Sequence, residues 1–318
     1  MPSQNDNPLQ QLYNNLSSII YGKNEALLLT MTTLLCKGHL LIEDVPGLGK
    51  TTLAKSLAKS LDMEFNRIQC TPDLMPSDIT GISVYNSEEH HFHFIPGPVF
   101  TDILLADEIN RATPRTQSAL LEAMAERSVS LDRETHSLSD HFMVIATQNP
   151  IETAGTYPLP EAQLDRFFMR IGLGYPDQEQ EVKILTHQPH NQPLQNLTPV
   201  MKPEQLQKLR ELAAATHMDD ALFNYITELV RATRNHPSVR LGSSPRGSLA
   251  LAMASKAYAY LTGSKFVTPD LIQKLVEPVL GHRLMFNDAH LYQTSAREKF
   301  FSELISSVIV PDHTETAA

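Results

Sequence analysis

Short runs of apolar residues closed by polar or turn residues pattern the first half of the chain: Leu40–Ile42, Ile103–Ala106, Phe142–Ala146 and Phe167–Leu173. Runs this short read as strands buried on both faces. Their alternation with helix-period segments across residues 39–173 predicts a parallel sheet covered on both sides. Two stretches break the alternation. Residues 72–100 hold Ile82-Ser-Val-Tyr85 and His91-Phe-His-Phe94 around a tip at Asn86-Ser-Glu-Glu89, the pattern of an inserted hairpin. Residues 128–142 repeat it with Val129-Ser-Leu131, a turn at Asp132-Arg-Glu134, and Ser137-Leu138.

Residues 174–202 gather Pro176, Pro189, Pro193 and Pro199 among polar residues and read as a linker around one short helix. From Pro203 the period is helical throughout. Helices are predicted over Pro203–Ala215, Asp220–Arg234, Pro245–Tyr260 and Pro269–Leu280, the last with Thr268 as N-cap and Gly281 as stop. The expected division is an α/β domain over 1–175 that includes an N-terminal helix, a linker over 176–202, a small all-α lid over 203–310, and a disordered tail over 311–318.

With 318 residues, 42% of them hydrophobic, the chain has ample core for such a fold. No apolar stretch approaches the length of a membrane span, and the polar N-terminus lacks the apolar segment of a signal peptide. Cys36 and Cys70 are too few for a disulfide framework and lack metal-ligand spacing. A cytoplasmic protein is expected. The net charge of −10 and pI near 5.7 count against a duplex-DNA motor, whose affinity rests on basic surface. The first hairpin region has no Lys or Arg between Pro72 and Thr101, and its Tyr85, Phe92, Phe94 and Ile95 suit a polypeptide better. His90, His91 and His93 lie close together, but no third ligand of fixed spacing supports a metal site there.

The chemistry concentrates where the strands end. After Leu40–Ile42 comes Glu43-Asp-Val-Pro-Gly-Leu-Gly-Lys-Thr51, then a helix-forming segment. Strand, glycine-bearing loop and helix N-terminus in that order form a phosphate cradle, the Walker A pattern. Val45, Pro46, Gly47, Leu48, Gly49 and Thr52 would surround the phosphates. Lys50 would reach the terminal ones, and Thr51 would ligate magnesium. One position departs: the pattern's first glycine is Asp44, acceptable only if its carboxylate points away from phosphate. The second run ends in Asp107-Glu108, read as a magnesium ligand and the residue that orients attacking water. The third leads to Asn149, an amide suited to hold that water or sense the γ-phosphate. Arg246, in the first turn of a helix capped by Ser244, opposes the helix dipole, which an anionic ligand would explain.

With Gln117-Ser-Ala-Leu-Leu-Glu-Ala-Met124, Asp107-Glu-Ile-Asn-Arg-Ala112, Ala146-Thr-Gln-Asn-Pro-Ile-Glu152, Leu159-Pro-Glu-Ala-Gln-Leu-Asp-Arg-Phe167 and Ser244-Pro-Arg246 added to the Walker A segment, the chain closely resembles the MoxR-type AAA+ ATPases. The resemblance implies ATP and Mg2+ as cofactors, Asn149 as sensor 1 and Arg246 as sensor 2. It implies Arg166 as an arginine finger acting on a neighbouring subunit, with Arg111 and Arg115 as alternatives. Tyr21 and Gly22 stand where the family contacts adenine, although Lys23 replaces the usual Gln. The hairpins match the helix-2 insert and presensor hairpin of the branch shared with magnesium chelatase and MCM helicases. A hexameric ring is implied, as are protein partners with von Willebrand factor A domains that the ATPase remodels, assembles or matures. The alternatives are a nucleic-acid-dependent motor and a nucleotide-gated scaffold with little turnover.

Overall fold

The computed structural model describes residues 7–88, 90–132, 134–150, 155–187 and 192–311. Two helices, α1 (Pro8–Ser17) and α2 (Asn24–Leu35), precede the first strand, β1 (Leu40–Glu43). Then follow α3 (Lys50–Ser60), β2 (Phe65–Gln69), α4 (Pro76–Thr80) and the hairpin β3 (Gly81–Asn86) with β4 (His91–Pro96). Next come β5 (Ile103–Asp107), α5 (Pro114–Glu126), the second hairpin β6 (Ser128–Leu131) with β7 (Glu134–Ser137), β8 (Met143–Gln148), α6 (Glu161–Leu164) and β9 (Met169–Ile171). The remainder is α7 (Gln178–His187), α8 (Gln192–Gln195), α9 (Pro203–Ala214), α10 (Asp220–Asn235), β10 (Val239–Leu241), α11 (Pro245–Leu261), α12 (Pro269–Leu280), β11 (Met285–Phe286) and α13 (Thr294–Ser306).

The sheet is parallel with strand order β2-β5-β8-β1-β9. Leu40, Leu41 and Ile42 are buried, as are Ile103 to Ala106 and Met143 to Thr147, because helices cover both faces. β2 has no such run. Phe-Asn-Arg-Ile-Gln alternates at an edge, with only Ile68 buried, so no apolar stretch announces it. Both hairpins form antiparallel pairs, Tyr85 opposite Phe92 and Val129 opposite His136, and Phe94 stacks on His136 to join them. Glu89 at the first tip and Arg133 in the second turn lie outside the described residues.

All four predicted lid helices are present within a residue of their expected ends. Ser244 caps α11 by accepting the Arg246 N–H, with Pro245 in the first turn. Thr268 takes the extended N-cap conformation but makes no side-chain cap bond. Gly281 does not turn left-handed to stop α12. At φ −59° it continues into a 3₁₀ turn, Gly281–Arg283, because the buried Arg283 reaches back to the Val279 carbonyl. The linker holds two helices rather than one, α7 and α8. A last helix, α13, was not expected; it forms because Phe300, Phe301 and Leu304 share a buried face. The predicted tail beyond Pro311 lies outside the described residues.

One hydrophobic cluster runs from α1 and α2 through one face of the sheet into α9–α12. α2, buried along most of its length, is the shared piece, packing on β9, α9 and α11. An ion-pair chain adds to it. Glu43 on β1 accepts from Arg170 of β9 at 3.0 Å and lies 3.9 Å from Arg297 of α13, which is 2.7 Å from Glu277 of α12. The opposite sheet face packs against α5 and the hairpin bases.

His39 leads into β1 with its ring buried. Nδ1 accepts the Val144 N–H at 2.9 Å, so the proton sits on Nε2, 3.1 Å from the Met124 carbonyl. Burial first, and then nearby Arg127, lower its pKa to about 4. Burial also holds His282 well below the usual histidine value. A lowered folded-state pKa means that the unfolded chain takes the proton first. The penalty is absent above about pH 6.5 and grows as pH falls toward 4. His39 is expected to cost about 2 kcal/mol at pH 5, so His39→Gln should show a correspondingly smaller stability loss between pH 7 and pH 5 in urea unfolding. An unchanged pH dependence would assign the loss elsewhere.

Candidate functional site

β1 delivers the loop 44–49 to the N-terminus of α3. Gly47 and Gly49 are left-handed at φ +85° and +87°, and little lies near the Cβ that either would carry, so conformation rather than space calls for glycine. Such a loop turns successive N–H groups to one side and forms a seat for an anion, reinforced by the helix dipole. Lys50 is buried, and its Nζ donates to the carbonyls of Asp44 at 2.6 Å and Val45 at 3.2 Å. Burial lowers its pKa, opposed by the carboxylates of Asp44, Asp107 and Glu108. Asp44 turns away from the loop. One oxygen accepts from Leu173 N (2.6 Å) and Gly174 N (2.7 Å), the other from Val45 N.

The acidic edge is built by three neighbouring strands. Asp107 ends β5, where Thr147 of β8 donates to one carboxylate oxygen at 2.6 Å and Arg67 of β2 donates to the other at 2.8 Å. Glu108 is left-handed at φ +55°, ψ 52°, a conformation costly for a residue with a Cβ. Its N–H donates to the Thr147 hydroxyl at 2.9 Å, so one buried hydroxyl fixes both acids. Gln69 and Arg111 donate to Glu108 Oε2 at 3.0 and 3.2 Å.

These groups line one cleft of about 480 Å³, within the range of small-molecule sites. Tyr21, Pro46, Gly47, Leu48, Gly49, Lys50, Thr51, Thr52, Asp107, Glu108 and Asn149 all face it. Two predicted contacts do not. Gly22 turns to the neighbouring cleft at φ +68°, where any Cβ would strike the Gln180 side chain, and Val45 contributes its carbonyl to Lys50 rather than a wall. Arg166 and Arg246 also lie outside the cleft lining. Arg166 donates to the Leu121 carbonyl at 2.5 Å, and the exposed Arg246 sits 3.7 Å from Asp165, whose other oxygen binds the buried Arg283. Arg111 is held by Glu108, and Arg115 is exposed.

Arg67, Gln69 and Thr147 escaped the sequence reading. Arg67 and Gln69 stand two apart on an edge strand that no apolar run marks, and Thr147 ends a buried run as an ordinary strand residue. Ile19, Ile20, Pro176 and Ile184 give the cleft its apolar lining. Thr51 and Asp107 are hard oxygen donors facing that cleft, and Asp107 is oriented by hydrogen bonds to both oxygens. Among the described residues no three His, Cys, Asp or Glu side chains cluster as a metal cage. A magnesium ion sharing its coordination with phosphate and water fits this donor set.

The profile of the ATPase family associated with various cellular activities (AAA) matches residues 39–169, and an AAA lid domain profile matches residues 231–300. The uncharacterized protein YeaC of Bacillus subtilis is 48% identical over 297 residues, 93% of each chain. Chaperone MoxR1 of Mycobacterium tuberculosis is 37% identical over 95% of this chain and 82% of its own. The crystal structure of a presumed ATPase of Cytophaga hutchinsonii superposes with a TM-score of 0.87 at 33% identity, covering 96% of each chain.

Thr147→Val keeps the shape and removes the hydroxyl that orients both acids. Magnesium-dependent nucleotide turnover is expected to fall roughly 10–100-fold while the chain stays folded. Turnover at the wild-type level in a steady-state assay would remove Thr147 from this role.

Proposed function

Since the chain belongs to the MoxR-type AAA+ ATPases, we propose that it forms a ring and hydrolyses ATP between adjoining copies to remodel, assemble or mature a protein partner. The observation that carries this reading is that Lys50, Thr51, Asp107, Glu108 and Asn149 line a single cleft at the carboxyl edge of the sheet. The base would lie on the apolar lining, against Ile20, Tyr21, Pro176 and Ile184. The triphosphate would follow Gly47 to Thr52, with Lys50 exchanging the carbonyls of residues 44 and 45 for phosphate oxygens. Thr51 and Asp107 would hold a magnesium ion, which when bound would supply charge neutralisation. Glu108 orients the attacking water, and Asn149 aligns it against the γ-phosphate.

Arg166 is the proposed finger, completing the site of a neighbour rather than its own. Arg246, 3.7 Å from Asp165, keeps in this reading the sensor 2 role that the resemblance implies, neutralising developing charge from the lid. A finger contributes about 10³–10⁵ in rate.

The hairpins favour a polypeptide partner. Ile82, Val84, Tyr85, Phe92 and Ile95 are exposed, Phe92 by 66%, rather than packed on their own domain. Arg127, which leads into the second hairpin, is occupied by the carbonyls of Lys37 and Phe142, which leaves it poorly placed for nucleic-acid phosphate. A partner with a von Willebrand factor A domain remains the proposal from family resemblance. A cytoplasmic setting fits the unpaired thiols of Cys36 and Cys70; burial raises the pKa of both, Cys70 to about 12. Among the described residues no helix is long and apolar enough to cross a membrane.

The deciding experiment is ATPase rate against protein concentration, with and without single-stranded DNA. The specific rate should rise with concentration and ignore DNA. DNA stimulation would favour a nucleic-acid motor, and negligible turnover throughout a scaffold. Glu108→Gln is expected to retain ATP binding and lose at least about 100-fold in turnover. Arg166→Ala should bind ATP near normally yet fail to turn over, and normal turnover would move the finger to Arg111 or Arg115.

A further inference from the structure

The phosphate-loop pattern expects glycine at position 44, and this chain spends a carboxylate there. That carboxylate accepts two backbone N–H groups, from Leu173 and Gly174, across the exit of β9 at 2.6 and 2.7 Å. Gly174, left-handed at φ +65°, then turns the chain into Tyr175 and Pro176, ahead of α7. Gly174, Pro176 and Ile184 all line the cleft, the last two as apolar wall. A second tie holds the same segment. Lys23 Nζ donates to the Tyr175 carbonyl at 2.6 Å, joining the wall to the Tyr21 side. A glycine at 44 would leave both N–H groups without this acceptor, and the wall without its link to the loop.

The geometry points to Asp44 as a positioning residue for the base. It works through Leu173 and Gly174 to hold Pro176 and Ile184 where a nucleobase would stack. This rests on the nucleotide reading above and sharpens it, because it separates the base end of the cleft from the phosphate end. Asp44 then governs affinity for the nucleoside part more than for the phosphate seat, which it also touches through the Val45 N–H and its charge near Lys50.

Inorganic tripolyphosphate carries the phosphates without the base, so it divides the two ends. Binding of Mg-ATP and of Mg-tripolyphosphate to the full chain should be measured by calorimetry for wild type, Asp44→Asn, Asp44→Ala and Ile184→Ala. For Asp44→Ala, ATP affinity is expected to fall roughly tenfold while tripolyphosphate affinity changes less than about twofold. Asp44→Asn should retain most ATP affinity, since its amide oxygen still accepts the two N–H groups although the charge is gone. Ile184→Ala, a variant of the wall itself, should show the same split as Asp44→Ala. An equal loss of both ligands would mean that Asp44 acts through the phosphate seat and would overturn the inference. So would an Asn variant as weak as Ala, or an Ile184 variant with wild-type ATP affinity. Wild type that bound tripolyphosphate but gained nothing from the base would overturn it while sparing the phosphate site. Wild type that bound neither would remove the nucleotide reading itself, and this inference with it.

Discussion

Parallel pairing in register is the constraint on which the site depends. β1 aligns Glu43 with Gln148 of β8, β5 aligns Asp107 with Gln69 of β2, and Ala106 lies level with Ala146. The strands therefore end at one height, and whatever follows each of them emerges at the same edge. A one-residue slip of β5 would turn Asp107 toward the opposite sheet face and break its bond to Thr147. The long apolar interior of β1, β5 and β8, which says nothing about chemistry, is what makes such a slip costly.

Within that edge the charges compensate one another. Lys50 rests on carbonyls in a region that Asp44, Asp107 and Glu108 make negative, while Arg67 and Arg111 neutralise the two acids. Buried charges are tolerable only with such partners. In the proposed nucleotide complex, an incoming triphosphate would exchange these internal contacts for its own. Lys50 has only to release two neutral carbonyl groups, which is a small barrier to engagement.

The sheet was legible wherever a strand was buried on both faces, since unbroken apolar runs have no other comfortable home. β2 was hidden because an edge strand needs only Ile68 inward. The residues hidden with it, Arg67 and Gln69, are the ones that brace the acids. The lid helices read well from caps and period. α13 did not, although its buried pair Phe300-Phe301 with Leu304 has helical spacing. Asp44 was visible as an oddity, but its purpose depends on N–H groups about 130 positions away, which no local pattern reveals. Gly22, expected from family resemblance, and Val45, expected from the phosphate-loop pattern, do not line the cleft: Gly22 faces the neighbouring one and Val45 offers its carbonyl to Lys50. The described site thus follows sequence closely where strand ends dictate position, and loosely where loops from distant segments meet.

The apolar cluster that runs unbroken through α2 has a mechanical corollary. Swinging α9–α12 as a flap would peel α11 from α2 and wet side chains such as Leu27, Met31 and Leu251, now sealed. The Glu43–Arg170–Arg297 bridgework would have to part at the same time. In the proposed ring each copy would in this respect be a stiff wedge, and whatever stroke nucleotide chemistry drove would have to be taken up by joints between wedges or by the protruding ribbons.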